Sequence, residues 1–173
     1  MSVSKAKQGS VAGVVGGYAP LDSELHVPVD YLPAGTLLAT NNLASSHTYT
    51  QTSGTMADAD AANMAVTFTA PASGRVLVRL TGTARMGSGA GAGDRVKWGV
   101  RESTTNLATG QYVLYTQATL AATMLNATSV AFLFTGISAG SHTYKWSIGA
   151  GGSGSGGVFV DTDNPALMEV WSA

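Results

Sequence analysis

Alternation is the feature that most narrows what this chain can fold into. Val96, Trp98 and Val100 take turns with Lys97, Gly99 and Arg101, and Tyr144, Trp146 and Ile148 with Lys145, Ser147 and Gly149. Successive side chains of a strand point to opposite faces, so a period of two marks a strand with one buried face. The period holds from Leu37 onward. Val66 and Phe68 alternate with Thr67 and Thr69, and Val76, Val78 and Leu80 with Leu77, Arg79 and Thr81. Tyr112 to Thr116, Val158 to Val160 and Leu167 to Trp171 add aromatic and β-branched runs. Val130 to Ile137 is apolar in both phases, which predicts a strand covered on both sides, by the core and by a partner. Gly, Ser, Thr, Asn and Asp clusters separate these runs. About eight to nine strands with almost no helix predict an all-β, jelly-roll-like β-sandwich over residues 36–173. One segment, Ala57 to Met64, has the composition for one or two helical turns. Trp98, Trp146 and Phe132 take core phases, whereas Trp171 is phased outward.

Ahead of this body the pattern stops. Met1 to Gly17 is small and polar, with Lys5 and Lys7 its only charges and glycines that disfavour a helix. Gly16 to Pro33 then reads GGYAPLDSELHVPVDYLP. Each proline there fixes its own φ and pushes its predecessor toward an extended conformation. Leu21, Leu25, Val27, Val29 and Leu32 are too many aliphatics for a solvated linker. Residues 1–35 are therefore expected to form an extended attachment arm whose connector packs on a neighbouring subunit.

Composition excludes several functions. Charged residues make up 11% of the chain and the net charge is −1, which gives no drive toward nucleic acid or an anionic membrane. Hydrophobic residues at 45% argue for a folded domain, and the low charge for a surface partly covered by other chains. Cysteine is absent, so disulfides and thiolate metal sites are excluded. No signal-peptide pattern and no apolar run of about 18 residues is present, so neither secretion nor a membrane span is expected. Asn126-Ala127-Thr128 is read as a chance glycosylation triplet.

Catalytic constellations are missing from the sequence. The G-x-G-x-x-G matches at Gly149, Gly151 and Gly154, and at Gly152, Gly154 and Gly157, are followed by a strand rather than a helix, which leaves no helix N-terminus for a pyrophosphate. His26, His47 and His142 form no metal-spaced pair. Asp58/Asp60 and Asp161/Asp163 offer carboxylates to calcium, with Asp161 and Asp163 the better pair, although Asp and Asn at such positions commonly serve turns. Neither an enzyme nor a bound cofactor is expected. Six of the nine basic residues fall between Arg75 and Arg101, and alternation places Arg79, Lys97 and Arg101 outward as a possible anionic-ligand face. Leu133, Ile137 and Trp171 are the apolar positions expected at an interface between copies.

Two stretches carry a resemblance. Gly17, Tyr18, Ala19, Pro20, Leu21, Asp22, Ser23, Val27, Pro28, Tyr31, Leu32 and Pro33 resemble a segment of tail-fibre and other virion-surface proteins of tailed bacteriophages. Gly136 to Lys145 is similar to the GL-x-x-G-x-H-T-x-x-L turn-and-strand of trimeric jelly-roll domains in phage fibres, and Phe68 to Leu80 fits the same pattern. The resemblance implies a homotrimer on a phage particle, with Tyr18, Pro20, Leu21, Leu25, Val27, Pro28, Tyr31, Leu32 and Pro33 in attachment or neighbour packing. It implies no catalytic residue. No heptad or collagen-like shaft is present, and 33 extended residues reach at most roughly 110–120 Å. That favours a capsid decoration protein or short head fibre, bound to the major capsid protein. The alternative is a tail-fibre or baseplate head that binds host surface glycan.

Overall fold

The computed structural model describes residues 34–108, 110–152 and 154–173. Connector positions Tyr18, Pro20, Leu21, Leu25, Val27, Pro28, Tyr31, Leu32 and Pro33 lie outside the described residues. Within them, twelve strands form two sheets. The first sheet centres on β5 (Arg75–Met86), which pairs along its whole length with β9 (Met124–Thr135). On its other edge β12 (Ala166–Ser172) pairs with Val76–Thr81, and β11 (Gly156–Val160) with Thr83–Met86. Outside those lie β1 (Leu37–Leu43) on β12 and β2 (His47–Gln51) on β11. The second sheet centres on β6 (Arg95–Glu102) and β10 (Ser141–Gly151). Here β8 (Gln111–Tyr115) and β7 (Thr105–Asn106) flank β6, while β3 (Ala57–Asp58) and β4 (Ala65–Thr69) flank β10.

The alternating positions build the core. Val76, Val78 and Leu80 of β5 face Val96, Trp98 and Val100 of β6 and Tyr144, Trp146 and Ile148 of β10, and all nine are at most 1% exposed. Trp98 and Trp146 meet edge to face at 4.7 Å, a geometry that suits the ring quadrupoles. The Trp98 indole N–H donates to the carbonyl of Gly157 in the other sheet at 3.4 Å, so one side chain spans both layers. The chain is an all-β, jelly-roll-like sandwich.

Two expectations need correction. Ala57–Met64 forms no helix: β3 is followed by a turn in which Asp60 Oδ1 accepts the N–H groups of Ala62 and Asn63 at 2.9 and 3.0 Å. An Asp side chain bonding to nearby backbone competes with helix formation, and here the turn prevails. In the run Val130–Ile137 one phase meets the core, and the phase expected to meet a partner is exposed on the single chain. β9 ends at Thr135, and only its inward phase, with Phe132 buried, meets the core, while Leu133 is 53% exposed. The second correction is that Arg79, Lys97 and Arg101 do not share a face. Arg79 lies on the first sheet and the other two on the second, because consecutive long strands of this sandwich alternate between layers.

Candidate functional site

The outer face of the first sheet carries an apolar row. Strand register sets Leu133 of β9 opposite Leu77 of β5, Leu77 opposite Trp171 of β12, and Trp171 opposite Leu37 of β1. Odd-numbered positions of β5 point away from the core, so four apolar side chains line up across four strands on the solvent side. Leu37 and Leu133, at the two ends, are 42% and 53% exposed. The adjacent row is polar: Arg79 Nη2 lies 2.6 Å from Glu169 Oε2. The guanidinium also sits 6.0 Å from the centre of the Trp171 ring. Gly35, Leu77, Arg79, Trp171, Ser172 and Ala173 together line a shallow groove at this end of the sheet.

Beside this face, β9 pairs with β5 alone among the described residues. Its twelve residues, Met124 to Thr135, contain no charge, proline or glycine. Soluble proteins usually defend an edge strand with one of these. Met124, Leu125 and Leu133 are exposed along it, and Tyr112 and Tyr115 are exposed on neighbouring β8, so five of the six large exposed hydrophobics in the described region lie on this flank. Gln111 of β8 donates to the carbonyl of Ala131 at 3.1 Å, which ties the two strands together. Of the expected interface residues, Leu133 thus lies on this flank and Trp171 in the groove. Ile137 is in the turn after β9, half-buried against the core.

On the second sheet Arg101 is engaged: it donates to Asp58 at 3.1 Å and to the Thr104 carbonyl at 2.6 Å. Lys145 reaches the other oxygen of Asp58 at 3.0 Å. Lys97 instead stands 5.1 Å from the ring of Tyr112, and Arg95 stands at the same distance from it.

At one end of β10, His142 sits between two acceptors. Nδ1 is 2.8 Å from Glu102 Oε1 and Nε2 is 2.9 Å from the Ser138 carbonyl. A neutral imidazole donates to one of them only, whereas the imidazolium donates to both. The Ser138 carbonyl, with the Glu102 carboxylate, therefore raises the His142 pKa against the opposing effect of burial. Burial, reinforced by the charge of Glu102, pushes nearby Tyr144 up to about 12.

The two glycine-rich loops meet at the far end of β5, and Asp94 joins them. Its Oδ2 accepts the N–H of Gly91 at 2.9 Å and that of Gly154 at 2.8 Å. A Cβ at Gly152, whose φ is +113°, would overlap the Asp94 carboxylate, and one at Gly157 would overlap the Tyr49 carbonyl. Close packing thus accounts for these glycines without a phosphate. The calcium pair is a turn: Asp161 Oδ1 accepts the N–H of Asp163, the N–H of Asn164 and the Asn164 side-chain amide. The Asn164 amide leads in lowering the Asp161 pKa. Among the described residues no group of three or more His, Cys, Asp or Glu could hold a metal ion.

No family model and no curated protein matches the chain. Among solved structures it is similar to the VP2 protein of infectious bursal disease virus, in T=1 particles of a D431N mutant, with 12% identity and a TM-score of 0.39. That match covers 77% of this chain and 35% of VP2. A structure of the Gt strain of the same virus matches with 12% identity and a TM-score of 0.37, over 77% and 37% of the respective chains. This chain therefore spans little more than a third of those proteins.

Sequence reasoning located Trp171 and Leu133 but missed the row that joins them, because register between strands distant in sequence has no local signature. The lack of charge in Met124–Thr135 was the available signal for the exposed flank. Tyr112 beside Arg95 and Lys97 was likewise legible only once β6 and β8 were paired.

Proposed function

We propose that this protein is a non-enzymatic structural component of a virion surface, a homotrimeric capsid decoration protein or short head fibre of a tailed bacteriophage. Its N-terminal arm anchors it to the major capsid protein, and the β head is displayed outward. The observation that carries this reading is the β8–β9 flank. A twelve-residue edge with no charge, lined by Leu125 and Leu133, is suited to burial against another copy of the head. The connector's likeness to phage surface proteins supports the choice of particle.

A second reading, a receptor-binding head on a tail or baseplate, is favoured by Tyr112. The residue is 54% exposed, with Arg95 and Lys97 beside its ring, an arrangement suited to stacking on a sugar that carries an anionic group.

Sedimentation of the full chain tests the trimer, and a monomer at micromolar concentration refutes it. Incubating particles that lack the protein with the full chain, and separately with residues 34–173, tests the arm: binding by the full chain alone is expected. Capsid binding by the truncated chain overturns arm docking, and attachment to tails alone moves the protein to the second reading.

A further inference from the structure

Three positions on the outer face of the second sheet are buried although their phase points away from the core: Gly99 of β6, and Ser147 and Gly149 of β10. The connection between β2 and β3 lies over them, and Met56 holds it there. We propose that Met56 is a site of reversible methionine oxidation, and that its sulfoxide releases residues 52–56 from the sheet. The inference concerns the head alone and stands apart from the virion assignment.

The socket for Met56 is made of glycine. A Cβ at Gly99 would stand 3.0 Å from Met56 Cε, and one at Gly149 would stand 2.9 Å from Sδ. At Gly110, just ahead of β8, it would stand 2.8 Å from Cε and 2.9 Å from Sδ. Carbon atoms in contact keep about 3.5–4.0 Å apart, so the thioether fits because these positions carry no side chain. Thr52, Ser53, Gly54 and Thr55 are exposed, and Ala150 N–H donates to the Ser53 carbonyl at 2.8 Å. Met56 therefore carries the apolar contact between this strap and the sheet. Beyond it the chain is fixed again, because Asp58 of β3 accepts from Arg101 and Lys145. Release would stop there.

The chemistry follows from where the sulfur lies. Met56 is half-buried and lines an open groove with Thr55, Lys97, Asn106 and Gly110, so a small peroxide can reach Sδ. The sulfur lone pair attacks hydrogen peroxide: an S–O bond forms, the O–O bond breaks and the thioether loses two electrons. The leaving oxygen takes the proton of the transferred one and departs as water. The product is polar and accepts hydrogen bonds. Around Sδ it meets other acceptors. The Gly54 and Thr55 carbonyl oxygens lie 3.3 and 3.6 Å from the same point at Gly149, and the Trp98 carbonyl 3.1 Å from the point at Gly110. The Ser147 hydroxyl borders the socket at its methyl end, beside Gly99. An oxygen on Sδ is thus crowded by backbone and faces carbonyls, and moving out to water relieves both. Met64, Met86 and Met168 are instead buried in the core, and Met124 is exposed on β9.

The test treats the full chain with dilute hydrogen peroxide. Oxygen uptake at each methionine is followed by peptide mass mapping, and subtilisin cleavage within residues 52–56 is timed alongside. Met56 should take up oxygen well before Met64, Met86 and Met168, and cleavage should quicken about tenfold as it does. Methionine sulfoxide reductases for both epimers should restore the slow rate. Met56→Leu, close in volume, should be cleaved slowly with or without peroxide. Met124→Leu should respond as the native chain does. If leucine seats poorly and Met56→Leu is cleaved fast from the start, the Met124→Leu chain decides, because its response must persist. Oxidation of Met56 only together with the core methionines overturns the proposal, as does unchanged cleavage of a chain oxidised at Met56. A response that is lost in Met124→Leu also overturns it and assigns the effect to β9.

Discussion

Asp94 is the most exposing place to perturb the head, because one buried carboxylate holds two loops from different sheet connections. The side chain belongs to a residue only 4% exposed, and its Oδ2 takes two backbone N–H groups, from Gly91 and Gly154. Asp94→Ala removes both bonds and leaves the Gly91 and Gly154 N–H groups without that acceptor. A hydrogen bond to a charged group contributes about 1.5–3 kcal/mol, so the loss should be about 3–5 kcal/mol. A domain of this size is typically stable by about 5–15 kcal/mol, so the variant should still fold. Its melting temperature should fall by about 10 °C. Asp94→Asn keeps an acceptor oxygen without the charge and should lose about half as much. Urea unfolding followed by the fluorescence of buried Trp98 and Trp146 reads the difference, because both report the core rather than the loops. A loss below about 1 kcal/mol for Asp94→Ala would refute the reasoning, since it would mean that the loops hold together without the carboxylate.

Two further perturbations separate charge from packing. The raised pKa of His142 means that the folded state holds its proton more tightly than the unfolded chain, whose value is near 6.5. The stability it contributes is full below that value and is lost as pH rises through the higher folded-state value. The urea midpoint should therefore fall as pH is raised from 6 to 8 (about the range in which histidine titrates), and His142→Gln should flatten that slope; a rising midpoint contradicts the two-acceptor geometry. In the Arg79–Glu169 pair the side chains are 48% and 10% exposed, so removing each partner has unequal consequences. Arg79→Ala leaves a buried carboxylate alone and should cost about 1–3 kcal/mol. Glu169→Gln frees an arginine that reaches water and should cost less than about 1 kcal/mol; denaturation midpoints in the reverse order would contradict this assignment.

Local pattern made the body legible and left its assembly hidden. Val96–Val100 and Tyr144–Ile148 announced their buried faces, because the pleat imposes the same period on any half-buried strand. The limits came from interactions between distant residues. Nothing near Arg79 signals that its partner is Glu169, ninety positions away, or that Lys97 lies in the other sheet. Apolar residues in both phases of Val130–Ile137 marked the strand, but not that it pairs at an edge of the first sheet. The glycine clusters were recognised as loops, but their cause, the close approach of Asp94 and Tyr49, depends on contacts across the sandwich.

The pairing of β1 with β12 has a consequence for the order of events during synthesis. Leu37–Leu43 finds its partner only when Ala166–Ser172 has been made. At about 5–20 residues per second the first strand of the head waits on the order of ten seconds for the last. Over much of that interval β5 and β9 can already be joined, while β12 and β11 are not yet available to cover the second edge of β5. The nascent head thus passes through a two-strand ribbon open on both sides, one of them free of charge, and crowded ribosomes on one message bring such ribbons together. Slower translation would lengthen that exposure, and the pairing of the seven-residue β12 ends it.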